Sequence, residues 1–211
     1  MKYLYNPPAI LKKTFGSFKW NSSNATILLT FDDGPTPEST EIILRVLKEY
    51  KTKALFFCVG NNVRKYPDLV EEIINQGHLI GNHTLNHKQL TQLTYTESIN
   101  EINSYTLLLK EQHKYDVKYF RPPHGKFKLN TPSLVKKCGL TNVMWSLLTY
   151  DFKGDIKEVK IAVDKYLQMD SIVVLHDSVK SAKIIEDSIK IILESANKKG
   201  FEIGEPEECL R

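Results

Sequence analysis

Short apolar runs alternate with stretches of helical periodicity along most of the chain. Runs with strand character cover residues 27–31, 54–59, 78–81, 118–121, 141–146, 171–176 and 201–203. The intervals between them carry helix signals. Thr36-Pro37 supplies a cap and a first-turn proline, followed by Ile42, Ile43, Val46 and Leu47 on one face. Pro67 opens a second helix that closes at Gly77, and Thr94-Tyr95-Thr96-Glu97 reads as a capping box ahead of Ile99, Ile102 and Leu109. Thr131-Pro132 opens a short helix ending before Gly139. Val159, Val163 and Tyr166 mark the next, and Ile185, Ile189, Ile192 and Ala196 mark the last, which runs toward Gly200. This alternation implies a parallel sheet buried on both faces. Seven such units in roughly 180 residues favour an α/β fold of the distorted (β/α)7 barrel kind, with the active site at the C-terminal strand ends. No G-x-G-x-x-G follows the first strand, which counts against a dinucleotide-binding open sheet.

Composition adjusts this picture only slightly. A 211-residue chain with 41% apolar and 26% charged residues can bury one sizeable core. The expected organisation is an extension over residues 1–24 packing on a catalytic domain over 25–211. The net charge of +4 comes without a dense basic block, so no nucleic-acid partner is expected. Apolar runs such as 54–59 and 172–175 are too short to span a bilayer. The three cysteines form no C-x-x-C pair, and Cys58 and Cys138 read as small buried hydrophobes. Residues 1–20 lack the continuous apolar core of a secretory signal, so the chain as written reads as cytoplasmic.

The chemistry gathers at the strand ends. Thr30-Phe31-Asp32-Asp33-Gly34-Pro35 closes the first strand with two adjacent carboxylates and a backbone break. Two like charges in a buried place call for a cation, either a metal ion or an arginine. His83 and His87 stand four apart; on a helical turn they would share a face and bind one metal. One of the two aspartates would complete a His-His-Asp set, leaving the other as a base. Arg121, ahead of Pro122-Pro123-His124-Gly125, is a candidate partner to hold that base ionised, and the turn could aim a backbone N–H at an oxyanion. His176 ends the apolar run 172–175, and Asp151 could pair with it and keep it protonated as a general acid. His78 and His113 lack such company and read as structural or exposed.

These residues together resemble the polysaccharide deacetylase family (NodB-like, carbohydrate esterase family 4). The resemblance runs from about residue 26 to 204 in five ordered motifs. Residues 30–35 and His83-Thr84-x-x-His87 match in full. Arg121-x-Pro123-x-Gly125 matches except at His124, where the family usually has Tyr or Phe. The fourth motif is degraded: Leu148 stands for its first Asp, Asp151 matches the second, and Phe152 replaces Trp. Val174-Leu175-His176 keeps the fifth with Val for Leu. The resemblance implies a metal-dependent N-deacetylase acting on an N-acetylated amino sugar in a glycan and releasing acetate. It implies Asp33, His83 and His87 as ligands to one divalent metal, Zn2+ first, with Co2+, Mn2+ or Ni2+ as alternatives. It also implies Asp32 as base held by Arg121, and His176 as acid tuned by Asp151. Pro123, His124, Trp145, Phe152 and Val174 become substrate-binding residues. Two other readings use the same residues: an amidohydrolase on a small non-sugar amide or imide, and a silent glycan-binding homologue.

Overall fold

The computed structural model describes residues 4–211. Seven strands form one sheet: β1 Leu28–Asp32, β2 Leu55–Cys58, β3 Leu79–Asn82, β4 Tyr119–Phe120, β5 Thr141–Asn142, β6 Leu147–Leu148 and β7 Ile172–His176. The helices are α1 Ala9–Thr14, α2 Pro37–Glu49, α3 Gly60–Lys65, α4 Pro67–Asn75, α5 Tyr95–His113, α6 Thr131–Lys137, α7 Ile156–Tyr166, α8 Ile185–Lys199 and α9 Pro206–Cys209. The strand order is β5-β4-β3-β2-β1-β7-β6, and the recorded pairs are all parallel. The sheet is a curled, incomplete (β/α)7 barrel whose seam lies between β5 and β6.

Burial explains the apolar runs. Every residue of β1 and β2 is buried, as expected for strands covered on both faces. The amphipathic helices turn one face inward: Ile43, Leu44, Val46 and Leu47 of α2, and Ile189, Ile192 and Ala196 of α8, join the same core as Leu29, Phe31 and Leu175. The capping box forms: Thr94 Oγ1 accepts from Glu97 N, and Glu97 Oε2 accepts from Thr94 N. Gly200 ends α8 with φ 68°, the left-handed conformation that favours glycine.

Several expectations need correction. The run at 141–146 holds only the two-residue strand β5 followed by an irregular stretch at 143–146, and β6 begins just past it at Leu147. Arg121 explains the break, because it takes the carbonyls of Val143 and Met144 as hydrogen-bond acceptors. Residues 201–203 form no strand; Ile203 makes only an isolated bridge to Ile27. Cys138 is partly exposed, whereas Cys58 is buried. The sequence pattern does not predict helices α1, α3 and α9.

The segment before β1 runs across the seam. The carbonyl of Tyr5 accepts from Leu148 N of β6 at 2.8 Å, and its ring stacks on Tyr166. At the opposite edge Lys19 bridges Val143: Lys19 N donates to Asn142 O at 2.9 Å, and Met144 N donates to Lys19 O at 2.8 Å. An aromatic cluster of Phe15, Phe18 and Trp20 packs with Met144, Phe127 and Trp145 beside this bridge.

Strand register sets up everything that follows. Asp32 lies opposite His176 of β7 and Phe57 of β2, Cys58 lies opposite Asn82, and Asn82 lies opposite Phe120. Residues that end these strands or follow them by one position therefore share one rim of the sheet.

Candidate metal and acid–base site

The two adjacent aspartates point to different partners because the backbone turns between them. Asp32 is the last residue of β1, while Asp33 has φ 79°, a left-handed conformation that redirects its side chain. Asp32 Oδ1 accepts from Arg121 Nη1 at 2.7 Å. Asp33 Oδ1 instead lies 3.0 Å from His87 Nε2 and 3.5 Å from His83 Nε2.

The histidines converge by a route the spacing did not suggest. Residues 83–87 are an irregular loop and not a helical turn. Thr84 and His87 have φ 67° and 56°, and these two left-handed residues curl the loop until both rings face Asp33. Asn82 braces the curl, its Oδ1 accepting from Thr84 N at 2.8 Å.

The residues fit a divalent cation. His83 Nδ1 lies 2.8 Å from the carbonyl of Arg121, which can only accept, so the proton sits on Nδ1. In the neutral ring, Nε2 then presents its lone pair toward the Asp33 carboxylate. Such a pair of electron-rich atoms is a place for a cation. The buried Nε2 of His87 makes no hydrogen bond among the described residues. Asp33, His83 and His87 each offer one ligand atom, all within 4.8 Å of one another. A carboxylate and two imidazoles suit zinc and other borderline divalent ions. Burial acts to push the Asp33 carboxyl up, but with both imidazoles protonated and no metal bound, His83 and His87 more than offset this and hold it well below the usual carboxylate range.

Arg121 is fully buried, and its planar fork is used on every side. Nη1 donates to Asp32 and to Thr30 Oγ1 (2.7 Å), Nε to Val143 O (3.0 Å) and Nη2 to Met144 O (2.7 Å). Its guanidinium carbon lies 4.2 Å from the centre of the Phe57 ring and 5.8 Å from that of Trp145. Thr30 opens the Asp32-Asp33 motif itself, whereas Val143 and Met144 act through backbone acceptors, which leave no residue-type signal.

Across the rim, His176 Nδ1 lies 2.8 Å from Asp151 Oδ1, and the second oxygen of the same carboxylate accepts from His176 N at 2.6 Å. Burial pushes the His176 imidazole down, but Asp151 more than reverses this and raises it to about 9. The ring is therefore charged at neutrality.

These groups open into a cleft of about 820 Å³. One wall is apolar, with Trp145, Leu148, Phe152 and Val174. Asn62, Tyr66 and the exposed Lys65 and Lys180 also line the cleft. Asp32, Asp33, His83, His87, His124 and His176 line it, whereas Arg121 and Asp151 sit behind it as supports. Pro123 is buried within its turn and does not face the cleft. The His124 ring packs 4.6 Å from that of His87, on a backbone with φ 56°. Burial, and then the charge of His87, lowers the His124 imidazole.

Asp177, next to His176 in the chain, also borders the cleft. Its buried Oδ2 accepts from Thr40 Oγ1 at 2.6 Å, and burial raises its carboxyl to about 7. It fits only because residue 34 is glycine: a Cβ there would lie 2.1 Å from Asp177 Oδ2.

A parallel α/β sheet that brings a His-His-Asp triad, an arginine-held aspartate and an aspartate-held histidine to one rim defines a hydrolase-like class of site. Comparison with known proteins identifies the class further. The polysaccharide deacetylase family model matches residues 19–143, and the chain belongs to that family. A peptidoglycan-N-acetylglucosamine deacetylase of Bacillus cereus is 37% identical over 150 residues, covering 71% of this chain and 54% of the relative, so the match spans about half of that protein. A second Bacillus cereus protein of the same description is 30% identical and is covered to 94%, with 93% of this chain aligned. Among solved structures, a peptidoglycan N-acetylglucosamine deacetylase in complex with 4-naphthalen-1-yl-N-oxidanyl-benzamide superposes with TM-score 0.88 at 28% identity, covering 96% of each chain.

Proposed function

We propose that the chain is a divalent-metal-dependent deacetylase that hydrolyses the N-acetyl group of an amino sugar in a glycan and releases acetate. One observation carries this reading: Asp32, fixed by Arg121, and His176, fixed by Asp151, border the same cleft as the Asp33–His83–His87 triad. A base, an acid and a metal-ready triad in one cleft are what amide hydrolysis requires. Names of related proteins point the same way, toward N-acetylglucosamine and N-acetylmuramic acid units of peptidoglycan. The exposed rim at Lys65 and Lys180 leaves room for a chain of sugars, favouring a glycan over a small enclosed imide.

A divalent ion held by Asp33, His83 and His87 supplies a Lewis acid that polarises the acetamide carbonyl and makes water acidic near neutrality. The protein's residues do the rest. Arg121 holds Asp32 ionised, and Asp32 takes a proton from the attacking water as the new C–O bond forms. The backbone N–H of His124 faces the oxygen that becomes negative. His176 gives its proton to the sugar nitrogen as the C–N bond breaks, so a free amine leaves with acetate as the second product. Phe152, Val174, Leu148 and Trp145 receive the acetyl methyl and keep bulk water away from it.

The test is acetate release from a panel comprising chitin oligomers, peptidoglycan glycan strands, acetylated xylan and a small cyclic ureide, with zinc supplied. Release from an N-acetylated glycan supports the proposal. Turnover of the ureide alone, or of nothing on the panel, rejects it.

A further inference from the structure

We propose that the segment 15–20 ahead of the first strand is a positioning element for the reaction: Phe18 and Trp20 fix Arg121, and with it Asp32, through Met144 and Trp145. The inference rests on the deacetylase reading, in which Arg121 orients the base.

Half of Arg121's partners are backbone carbonyls, those of Val143 and Met144, in the irregular stretch between β5 and β6. A stretch outside a strand ladder needs other supports. On its inner side Val143 N donates to Phe120 O, and Ser146 N donates to Ile172 O. On its outer side the support is Lys19, whose backbone donates to Asn142 O and accepts from Met144 N. The Arg121-bearing carbonyls are thus gripped between the sheet and the N-terminal segment.

Side chains reinforce the grip. Phe18 and Phe127 meet edge to face at 5.2 Å, Phe15 and Phe127 at 4.8 Å, and Trp20 Nε1 donates to Phe15 O at 2.9 Å. Met144 belongs to this cluster and Trp145 packs against it. Trp145 then covers the guanidinium on one face and blocks Gly125 on the other, where a Cβ would come within 2.2 Å of the indole. One aromatic cluster therefore backs both the arginine and the His124–Gly125 turn. A fully buried guanidinium is tolerated only while its donors stay paired, and a misplacement of about 1 Å can cost about 10²-fold in rate.

The experiment uses full-length variants: Trp20→Leu, Phe18→Leu, Arg121→Lys and the double variant Trp20→Leu/Arg121→Lys. Acetate release from a chitin oligomer and zinc stoichiometry are measured for each. The expected result is a fall in kcat of about tenfold for Trp20→Leu and for Phe18→Leu, with KM and bound zinc unchanged and no additional fall for Trp20→Leu in the Arg121→Lys background. An unchanged kcat overturns the proposal, as does an equal fall in both backgrounds. Trp20→Phe keeps an aromatic ring but loses the Nε1–H bond to Phe15 O, so it should lose less turnover than Trp20→Leu. Because Trp20 and Trp145 are the two tryptophans, Trp20→Phe also isolates Trp145 fluorescence. Adding Phe18→Leu should move that emission to longer wavelength, and an unmoved emission overturns the coupling even if Trp20→Leu fails to fold. A wild-type protein that deacetylates nothing defeats the deacetylase reading instead, and the fluorescence arm still decides the coupling.

Discussion

Asp32 and Asp33 are neighbours in the chain with opposite allegiances: Asp32 Oδ1 lies 2.7 Å from Arg121 Nη1, while Asp33 Oδ1 lies 3.0 Å from His87 Nε2. The left-handed backbone at Asp33 divides them. Each carboxylate has its own cationic partner or place for one, so the pair is tolerated at a rim where two unpaired charges would repel.

This division predicts separable losses. Asp32→Asn keeps a hydrogen-bonding group beside Arg121 but removes the base, so acetate release should fall by about 10²–10⁴ with zinc retained. Asp33→Asn removes an anionic ligand and should lose both zinc and activity. Zinc stoichiometry by elemental analysis, beside acetate release, checks the assignment; zinc loss in Asp32→Asn with retention in Asp33→Asn would reverse it.

In the proposed mechanism Asp151 sets the alkaline limit. The donor form of His176 is the protonated one, and its raised value of about 9 keeps that form dominant at neutrality. Activity should therefore fall as pH rises toward that value, with a bound divalent ion's positive charge drawing the limb lower. Asp151→Asn removes the carboxylate that raises the imidazole. The alkaline limb of kcat/KM should then begin at lower pH than in wild type. A limb left in place by Asp151→Asn would mean that another group controls it.

Gly125 and Gly139 separate backbone strain from steric exclusion. Both are left-handed, with φ 63° and 74°. At Gly139 a Cβ would meet nothing within 4 Å, so Gly139→Ala should cost only about 1 kcal/mol of conformational strain. At Gly125 the same methyl runs into the Trp145 indole. Gly125→Ala should lose about 1–3 kcal/mol more and much of its turnover. Denaturant unfolding of the two variants, with acetate release alongside, measures the difference; equal stability losses would contradict it.

Much of the site could be read from sequence because its parts are local: Asp32-Asp33, His83-x-x-x-His87, Arg121 and His176 each close an apolar run or follow one closely. What escaped depends on distant contacts or on backbone shape. The pairing of His83 and His87 was expected from a helical turn, yet Thr84 and His87 deliver it through left-handed torsions that side-chain spacing does not encode. Residues 141–146 look like one strand because their apolar content suits one, but the carbonyls of Val143 and Met144 go to Arg121 instead of a neighbouring strand. Helix α3, beginning Gly60-Asn61-Asn62, is built from weak helix formers and is held by its surroundings, with Gly60 N and Asn61 N donating to the carbonyls of Thr84 and Leu85. Asp177 was visible beside His176 but had no partner nearby in sequence; Thr40 reaches it only in the folded chain.

The seam between β5 and β6 has a consequence for how molecules of this protein meet one another. An open sheet offers unpaired amides along its margins, and such margins invite a neighbouring chain to add a strand. Here Tyr5 occupies the β6 margin and Lys19 the stretch just past β5, each with backbone hydrogen bonds. The same short segment that crosses the gap thus denies both margins to strangers, and the molecule achieves by self-coverage the protection that a closed barrel gains by completing its circle.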